Sequence, residues 1–413
     1  MSRIDDLIAE HCPDGVEFKR LGEVGEFIRG NGLQKKDFVD EGFPCIHYGQ
    51  IYTFYGTSTA TTKSFVAPEL AARLKQAEKG DLVVTTTSEN IEDVCTAVAW
   101  MGDSPIAVGG HSCVYRHTLD PMYAAYYFQT EQFEIQKRKL VTGTKVKDIK
   151  VSDVGRIKIP VPPPAIQREI AEILNRMEVL KAELESELES ELEYRSRQYV
   201  YYRDSLLAYA DRESVRWAPM GEVGEFIRGR RFTKNDVVPV GVGSIHYGEI
   251  YTHYGVFASE ALSHVRSELT PNLRFARTGD VVIAAVGETV EDVCKAVAWL
   301  GDEEVAIHDD CFAYRHTLNP KFVAYYFQTS VFHAEKNKHV ARAKVKRISG
   351  ESLAKLKIPV PSLKEQERIV AILDHFDALV NDLSVGLPAE IRSRQRQYEY
   401  HRDRLLTFEG RAA

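Results

Sequence analysis

The sequence of 413 residues is poor in the patterns that mark metal, disulfide and membrane proteins. Its six cysteines include no CxxC pair and fit no zinc template, so neither a metal centre nor a disulfide framework is expected. No apolar run approaches the roughly 20 residues that cross a bilayer, and the amino-terminal residues 1–12 are too acidic for a signal peptide. These absences predict a cytoplasmic protein with reduced thiols and no membrane contact.

Catalytic signatures are missing as well. The sequence contains no P-loop, no strand-to-helix GxGxxG, no GxSxG elbow, no HExxH and no NPPY-type tetrapeptide of a methyltransferase. Residues 13–19 imitate the PD and ExK order of a nuclease, but only two residues separate Asp14 from Glu17 and no counterpart follows later in the chain. We therefore predict a recognition protein that is not an enzyme.

What the chain does contain is a long internal repeat. The segment LGEVGEFIRG at Leu21 recurs as MGEVGEFIRG at Met220, and EDVCTAVAW at Glu92 recurs as EDVCKAVAW at Glu291. Both pairs lie 199 residues apart, and the same offset joins the two copies of YRHTL, AYYFQT, KIPVP and RxRQYxYxRDxLL without a gap. Two copies of one fold are expected, in agreement with the two or three domains that the length predicts.

Each copy divides into a globular part and a helical part. Short apolar runs such as GDLVVTTT at Gly80, with glycine and proline between them, predict a mixed α+β domain. After the IPVP junction, apolar residues recur at three- and four-residue steps, as in a coiled-coil helix. In the first copy this seam comprises Ile170, Ile173, Leu174, Met177, Leu180, Leu184, Leu188, Leu192, Tyr199 and Leu206. In the second copy, Gly386 and Pro388 are expected to break the helix.

The predicted fold class is α+β, with two similar mixed α/β domains separated by two long antiparallel coiled-coil helices about a pseudo-two-fold axis. The expected boundaries are 1–163 for the first domain, 164–211 for its helix, 212–362 for the second domain and 363–413 for the distal helix. IDDLIAE at Ile4 aligns with RDSLLAY at Arg203, so the amino terminus should supply to the first domain what the central helix supplies to the second. The organisation would then be cyclic. The alternative is that each helix packs on its own domain.

The net charge of −7 conceals two basic segments. Residues 164–194 hold nine acids against three bases, whereas residues 136–158 and 335–357 each hold eight bases against two acids. A solvated surface is the ordinary explanation of one such run, but its recurrence in both copies favours contact with DNA phosphates. The predicted phosphate contacts are Lys137, Arg138, Lys139, Thr144, Lys145 and Lys147 in the first copy, and Lys336, Lys338, Arg342, Lys344, Lys346 and Arg347 in the second.

Several polar loops differ between two otherwise matching copies. TTTSEN at residues 85–90 corresponds to AAVGET, GGHS at 109–112 to HDDC, and NGLQ at 31–34 to RRFT. Such changes alter groups that could meet base edges, where arginine suits guanine and asparagine or glutamine suits adenine. Drift of surface loops is the alternative for any single residue. The predicted base-reading residues are Asn31, Gln34, Asn90, His111, Arg230 and Arg231.

Two short runs come nearest to a metal-ligand set. His111 lies two residues before Cys113, and His308 is followed by Asp309, Asp310 and Cys311. The two sets do not match across the repeat, so no metal site is predicted.

The order of these features resembles the specificity subunit of type I restriction-modification systems. The resemblance rests on CPDGVEFKRLGEV at Cys12, IPVPPPAIQREIAEIL at Ile159, the array AELESELESELE at Ala182 and RSRQYVYYRDSLL at Arg195, together with the duplication. It covers essentially the whole chain. The distal copy departs from it by reading DLSVGLPAEI at Asp382 in place of the array, which puts helices of equal length in doubt.

The resemblance implies two target recognition domains that each read half of a bipartite site in double-stranded DNA. The helices would set the spacer and dock two modification subunits, which methylate adenine with S-adenosylmethionine. A restriction subunit that uses ATP and Mg can join such complexes. No cofactor is then expected on this chain itself.

One alternative from another class is a coiled-coil scaffold whose paired globules bind protein. It predicts no salt-dependent affinity for DNA, whereas a grip through two basic segments predicts a steep fall with salt. A nuclease in its own right would need an acidic metal cluster, which the sequence does not show.

Overall fold

The computed structural model describes residues 3–209, 215–342, 344–382 and 385–410, without the side chains of residues 3–5 and Arg342. The chain forms two compact units. The first unit comprises Met1–Glu185 and Arg392–Ala413, and the second comprises Ser186–Ile391. The expected domain boundary between residues 211 and 212 lies outside the described residues.

The first unit contains short strands and helices. Its strands are β1 (Phe18–Arg20), β2 (Gly25–Arg29), β3 (Phe38–Val39), β4 (Phe43–Ile46), β5 (Ser58–Thr59), β6 (Ser64–Val66), β7 (Lys75–Ala77), β8 (Leu82–Thr85), β9 (Thr87–Ser88), β10 (Ala97–Trp100), β11 (Ile106–Val108), β12 (Ser112–His117), β13 (Lys147–Asp148) and β14 (Lys158–Pro160). Its helices are α1 (Arg3–His11), α2 (Leu21–Val24), α3 (Tyr48–Thr53), α4 (Pro68–Ala71), α5 (Pro121–Tyr127), α6 (Glu131–Arg138), α7 (Val151–Val154) and the first part of α8 (Pro164–Ala208).

Two five-stranded sheets form the centre of the first unit. Their strand orders are β2-β12-β8-β10-β5 and β3-β6-β4-β11-β7, and β13 pairs with β9 at one side. All four residues of β8 are buried, which explains why this strand is continuously apolar rather than alternating. The strand predicted from GDLVVTTT is therefore confirmed.

The second unit repeats this order. Its strands are β15 (Arg216–Pro219), β16 (Gly224–Arg228), β17 (Val237–Val238), β18 (Val242–Ile245), β19 (Phe257–Ala258), β20 (Ser263–Val265), β21 (Phe275–Ala276), β22 (Val281–Ala284), β23 (Val286–Gly287), β24 (Ala296–Trp299), β25 (Val305–Ile307), β26 (Cys311–His316), β27 (Ala341–Arg342), β28 (Lys346–Arg347) and β29 (Lys357–Val360). Its helices are the last part of α8, α9 (Met220–Val223), α10 (Tyr247–Thr252), α11 (Pro320–Tyr326), α12 (Ser330–Lys336), α13 (Gly350–Lys355), α14 (Leu363–Asn381) and the beginning of α15 (Leu387–Leu405).

Its sheets have the corresponding orders β16-β26-β22-β24-β19 and β17-β20-β18-β25-β21. The described part of the second unit adds one strand, because β28 lies between β23 and β27. The prediction of an α+β protein with two repeated mixed α/β domains is confirmed.

Buried glutamines fix where α8 and α14 begin. The amide of Gln167 accepts a hydrogen bond from the backbone N–H of Asp120 at 2.9 Å and donates to the carbonyl of Pro162 at 2.8 Å. Gln366 makes the equivalent bonds to Asn319 and Pro361. Because both glutamines are buried, each helix starts from a fixed point on its own unit.

The end of α8 packs against α14 in the second unit. Tyr202 stacks on Phe376 with ring centroids 5.2 Å apart, and Tyr199 and Leu207 join Leu373 and Ile369 in one core. The predicted break near Gly386 and Pro388 is confirmed, since α14 ends at Asn381 and α15 begins at Leu387. Leu180 is wrong as a member of the apolar seam, because it is 64% exposed.

Both ends of the described chain meet in the first unit. The backbone N–H of Val16 donates to the carbonyl of Glu409 at 2.9 Å, and Leu406 is buried in the same core as the partly buried Leu7. The meeting of head and tail is confirmed. One detail is wrong, because the counterpart of the end of α8 is α15 and not the amino terminus. In the first unit, Asp403 of α15 accepts a hydrogen bond from the N–H of Glu131. In the second unit, Asp204 of α8 accepts the equivalent bond from the N–H of Ser330.

None of the described helices is both long enough and apolar enough to cross a membrane.

Candidate nucleic-acid interface

The basic segment of each unit, residues 136–158 or 335–357, lies against a loop that differs between the copies. This variable loop, residues 85–90 or 284–289, begins at the end of the central strand, β8 or β22. In the first unit, β13 pairs antiparallel with β9, which places Lys147 opposite Ser88 and Asp148 opposite Thr87. In the second unit, β28 pairs in the same way with β23, with Arg347 opposite Val286. The fold thus places predicted phosphate contacts next to the loops that differ between the two copies.

Most of the predicted phosphate contacts are accessible. Arg138 is exposed, but carboxylates of Glu134 and Glu92 lie 2.8 and 3.0 Å from its guanidinium. Lys147 is half-buried and donates to the carbonyl of Gly143 at 3.0 Å. The side chain of Arg342 lies outside the described part of the chain. The exposed residues are Lys139, Thr144, Lys145, Lys338, Lys344 and Arg347, and Lys346 is half-buried.

The prediction is wrong for Lys137 and Lys336. The two residues are 2% and 0% exposed. Lys137 donates to the carbonyl of Glu92 at 3.0 Å, and Lys336 donates to the carbonyls of Val290 and Val293. Burial lowers the pKa of Lys336. Each lysine supports a loop from inside, so it cannot reach a phosphate while the unit is folded.

Two predicted base readers have internal roles. The side chain of Asn31 donates to the carbonyl of Arg73 at 3.0 Å and accepts from the N–H of Lys75 at 2.9 Å. Asn90 donates to the Asp93 carboxylate and accepts from its N–H, both at 2.8 Å. Both amides are exposed, but their groups already hold the loops together.

The other four candidates are exposed. His111 places Nδ1 3.4 Å from the Thr87 hydroxyl, and its ring lies 4.9 Å from that of Tyr48. Gln34 is held through its backbone N–H by the Asp37 carboxylate at 2.8 Å, which leaves its side chain at the surface. Arg230 is fixed by a backbone bond to Ile307, and Arg231 borders a cleft.

The cleft beside Arg231 has a volume of about 770 Å³. Its lining includes the basic residues Lys234 and Arg347 and the acidic residues Asp309 and Asp310. Both signs of charge therefore face one opening, where donors and acceptors could meet the edges of bases.

The structure brings His308, Asp309 and Asp310 together, with ligand atoms within 4.8 Å of one another. Nε2 of His308 lies 3.1 Å from the carbonyl of Phe232, and Nδ1 lies 3.2 Å from the backbone N–H of Asp310. The Asp309 carboxylate is also 3.2 Å from Nδ1. Both ring nitrogens of His308 therefore already have partners within the unit, Nε2 at Phe232 and Nδ1 at Asp310.

Two acidic residues at this surface were not among the predicted contacts. Asp148 accepts from the Thr87 hydroxyl at 3.0 Å, and Asp310 lies 3.8 Å from Arg347. A signal for them exists in the sequence. At the offset of 199 residues, Asp148 corresponds to Arg347 and His111 to Asp310, so the acidic residue occupies a different one of the two places in each unit.

One protein-family model matches two segments of this chain. The model of the type I restriction modification DNA specificity domain matches residues 13–194 and 216–393. The specificity subunit of the type I restriction enzyme EcoR124I/EcoR124II from Escherichia coli is 32% identical over 279 residues, which are 62% of this chain and 65% of that subunit. The putative specificity subunit S.HindORF215P from Haemophilus influenzae is 31% identical over 65% of this chain and 68% of its own length. The aligned region thus spans about two thirds of these relatives.

Two solved structures share the fold. A chain from a study of complex assembly and conformational transition in a type I R-M system has a TM-score of 0.68 at 19% identity, and covers 95% of this chain and 97% of its own. The HsdS subunit from Thermoanaerobacter tengcongensis has a TM-score of 0.53 at 19% identity over 95% of this chain and 96% of its own. The curated relatives are named as specificity subunits, which agrees with the prediction that this chain is not an enzyme.

Proposed function

Since this chain belongs to the family of type I restriction-modification specificity subunits, we propose that its two target recognition domains each read one half of a bipartite site in double-stranded DNA. The observation that carries the proposal is the same in both units. A basic segment is paired by backbone hydrogen bonds with the loop that varies between the copies. Phosphate contacts and sequence-reading contacts would therefore be made from one surface.

The two kinds of contact have different tasks. Lysines at residues 139, 145, 338 and 344 would neutralise phosphates and fix the register of each unit on the duplex. Residues of the variable loops would then meet base edges in the major groove, where each base pair has its own pattern of donors and acceptors. Because the two units are similar but not identical, the half-sites would form a nearly palindromic motif around an unspecified spacer.

The helical segments have a separate proposed role. We infer that they set the spacer and dock two modification subunits, which carry S-adenosylmethionine and methylate adenine. A restriction subunit that uses ATP and Mg can join complexes of this kind. The residues of this chain would contribute recognition and positioning, and its place of action would be the cytoplasm, where the DNA is.

The first experiment is to map methylated adenines across the source genome with the gene present, deleted and restored. We expect a bipartite, nearly palindromic motif to lose methylation on deletion and regain it on restoration. Methylation that stays the same in all three strains would contradict the proposal.

A binding measurement separates this proposal from a protein-binding scaffold. The complex with its modification subunits should lose affinity steeply as salt rises, because phosphate contacts release counterions. Changing Lys139, Lys145 and Lys147 to glutamine should lower the slope of log K against log salt by about 0.9 for each phosphate that is no longer neutralised. Lys79→Gln serves as a control outside the basic segment, since Lys79 pairs with Asp103. A salt-independent affinity would favour the scaffold.

A further inference from the structure

In each unit, two residues beside the proposed DNA-binding surface are placed by backbone hydrogen bonds to the same third residue. We call this hydrogen-bonded arrangement the backbone frame. In the first unit, the N–H of Thr86 donates to the carbonyl of His111 at 2.9 Å, and the N–H of Ile149 donates to the carbonyl of Thr86 at 3.0 Å. In the second unit, Ala285 makes the same two bonds with Asp310 and Ile348, at 2.8 and 3.0 Å. The backbone therefore places residues 111 and 148 as it places residues 310 and 347.

The acidic side chain occupies a different position on each of these frames. In the first unit, the imidazole of His111 and the carboxylate of Asp148 both contact the hydroxyl of Thr87. In the second unit, the carboxylate of Asp310 lies 3.8 Å from the guanidinium of Arg347. The carboxylate lies on the strand in the first unit and on the turn in the second, and the nitrogen-bearing side chain has the other place in each.

The two units differ at both positions of the frame and at a third residue beside them. Aspartate at both positions of one frame would bring two carboxylates together, which is unfavourable. Neither unit has that combination, because each holds one carboxylate and one nitrogen-bearing side chain. Val286 in the second unit corresponds to Thr87 in the first, whose hydroxyl contacts both groups there. The pair is therefore one element in which the units differ.

The pair in the second unit is placed to meet a ligand. Arg347 and Asp310 both line the cleft of about 770 Å³ and a second cleft of about 710 Å³. The side chain of Arg347 is 57% exposed, whereas that of Asp310 is 21% exposed. The guanidinium thus stands at the surface with open space around it, and the carboxylate lies behind it.

We propose that Arg347, oriented by Asp310, reads a guanine in the half-site of the second unit, and that the His111 and Asp148 pair reads an amino-bearing base at the equivalent position of the other half-site. Two N–H groups of arginine match O6 and N7 of guanine in the major groove. A carboxylate accepts instead from the amino group of cytosine or adenine. The inference rests on the proposed function and adds which residues make the two half-sites differ.

The sharpest single variant is Arg347→Lys, tested in the complete complex by mapping its methylation motif. Lysine keeps the positive charge, so a phosphate contact would survive, but its single ammonium lacks the planar fork with which arginine makes two parallel bonds to guanine. We expect discrimination in favour of guanine to fall about tenfold or more at one position of one half-site. An unchanged motif would mean that Arg347 contacts phosphate only, and the inference would be wrong.

A second variant transfers the pair. The triple change Thr87→Val, His111→Asp and Asp148→Arg gives the first unit the residues of the second. We expect its half-site to acquire the guanine of the other half-site at the corresponding position. The half-site read by the unaltered second unit is an internal control for folding and assembly. If that half-site is still recognised and the first one has not changed, the inference is overturned.

The positioning role of Asp310 has its own readout. Asp310→Asn removes the charge that holds Arg347 and keeps the size of the side chain. We expect the preference for guanine at that one position to weaken while the rest of the motif is kept. A lower methylation rate with full guanine preference would contradict the positioning role. Failure of the proposed function is distinguishable, because wild-type methylation would then not depend on the gene at all.

Discussion

Two buried lysines at equivalent positions of the two units donate hydrogen bonds to backbone carbonyls. The ammonium groups of Lys137 and Lys336 end among backbone carbonyls of the loop that contains EDVC. In that loop, Cys95 and Cys294 have φ values of 64° and 70°, which is uncommon for a residue other than glycine. The lysine contacts are made beside these residues and help to hold an unfavourable backbone shape.

Replacing Lys336 by methionine tests this role. The change leaves the carbonyls of Val290, Glu291 and Val293 without their ammonium donor, so we expect the free energy of unfolding to fall by about 2–4 kcal/mol. Chemical denaturation of the full chain measures it. The control is Lys338→Met, an exposed neighbour, which should change stability by less than about 0.5 kcal/mol. Equal effects of the two variants would contradict the structural role of Lys336.

Two equivalent histidines should make stability depend on pH. Burial lowers the pKa of His117 to about 4, and burial does the same for His316. The unfolded imidazole protonates near pH 6.5, so between pH 6.5 and 4 the unfolded state binds more protons than the folded state. The free energy of unfolding should therefore be highest above pH 6.5 and fall towards pH 4, by about 1–3 kcal/mol for each histidine.

Denaturation curves between pH 7 and pH 4 check this. The double variant His117→Asn and His316→Asn should flatten the dependence, since asparagine does not titrate. His253→Asn is the control, because His253 is exposed. A slope that the double variant leaves unaltered would show that other groups cause the pH dependence.

At the scale of elements, the two long helical segments differ although their sequences repeat. The helix α8 is continuous over 45 residues, whereas the equivalent distal segment is divided into two helices of 19 residues each. The array ELESELES gives α8 good helix formers, glutamate and leucine, at three of every four positions, and Leu184 and Leu188 within it are half-buried. In the distal segment, Gly386 and Pro388 replace it, and Pro388 suits only the first turn of the helix that follows.

Removing residues 183–186 tests the proposed role of α8 as a ruler. One ELES unit contributes about 6 Å of helix, so the spacer in the methylated motif should shorten by one or two base pairs. The control replaces the same four residues by alanine, which keeps the length and should keep the spacer. A deletion that leaves the spacer unchanged would mean that α8 does not set the distance.

At the scale of the whole molecule, the duplication allows one unit to be exchanged for the other. A chain in which residues 220–362 replace residues 21–163 would carry two copies of the same recognition surface. We expect its methylation motif to be strictly symmetric, because both half-sites would be read by identical residues. The reverse exchange should give a second symmetric motif and is the matched control. An asymmetric motif from either chain would contradict reading by the units.

Some features of the molecule could be predicted because they are local or repeated. The duplication, the central strand β8, the long helix α8 and the break at Gly386 follow from periodicity, apolar runs and helix-breaking residues. Constant spacing between the copies also predicted that both would share one fold. These properties depend on backbone preferences and on burial of whole segments, which leave clear patterns in a sequence.

Other features depended on contacts between distant residues. A basic run does not say which lysine is inside, and only the packing of α6 and α12 beneath the EDVC loop buried Lys137 and Lys336. Likewise, the sequence did not show that the amides of Asn31 and Asn90 make hydrogen bonds within their own unit.

The sequence by itself therefore determined the repeat, the fold class, the family resemblance and the places where the two copies differ. Only the tertiary structure decided which differing residues lie together, because backbone hydrogen bonds to Thr86 and Ala285 bring residues 37 positions apart next to each other. A charge change at one position has little meaning in a sequence alone. It gains meaning when folding places its compensating partner beside it, since electrostatic interaction depends on distance in space and not along the chain.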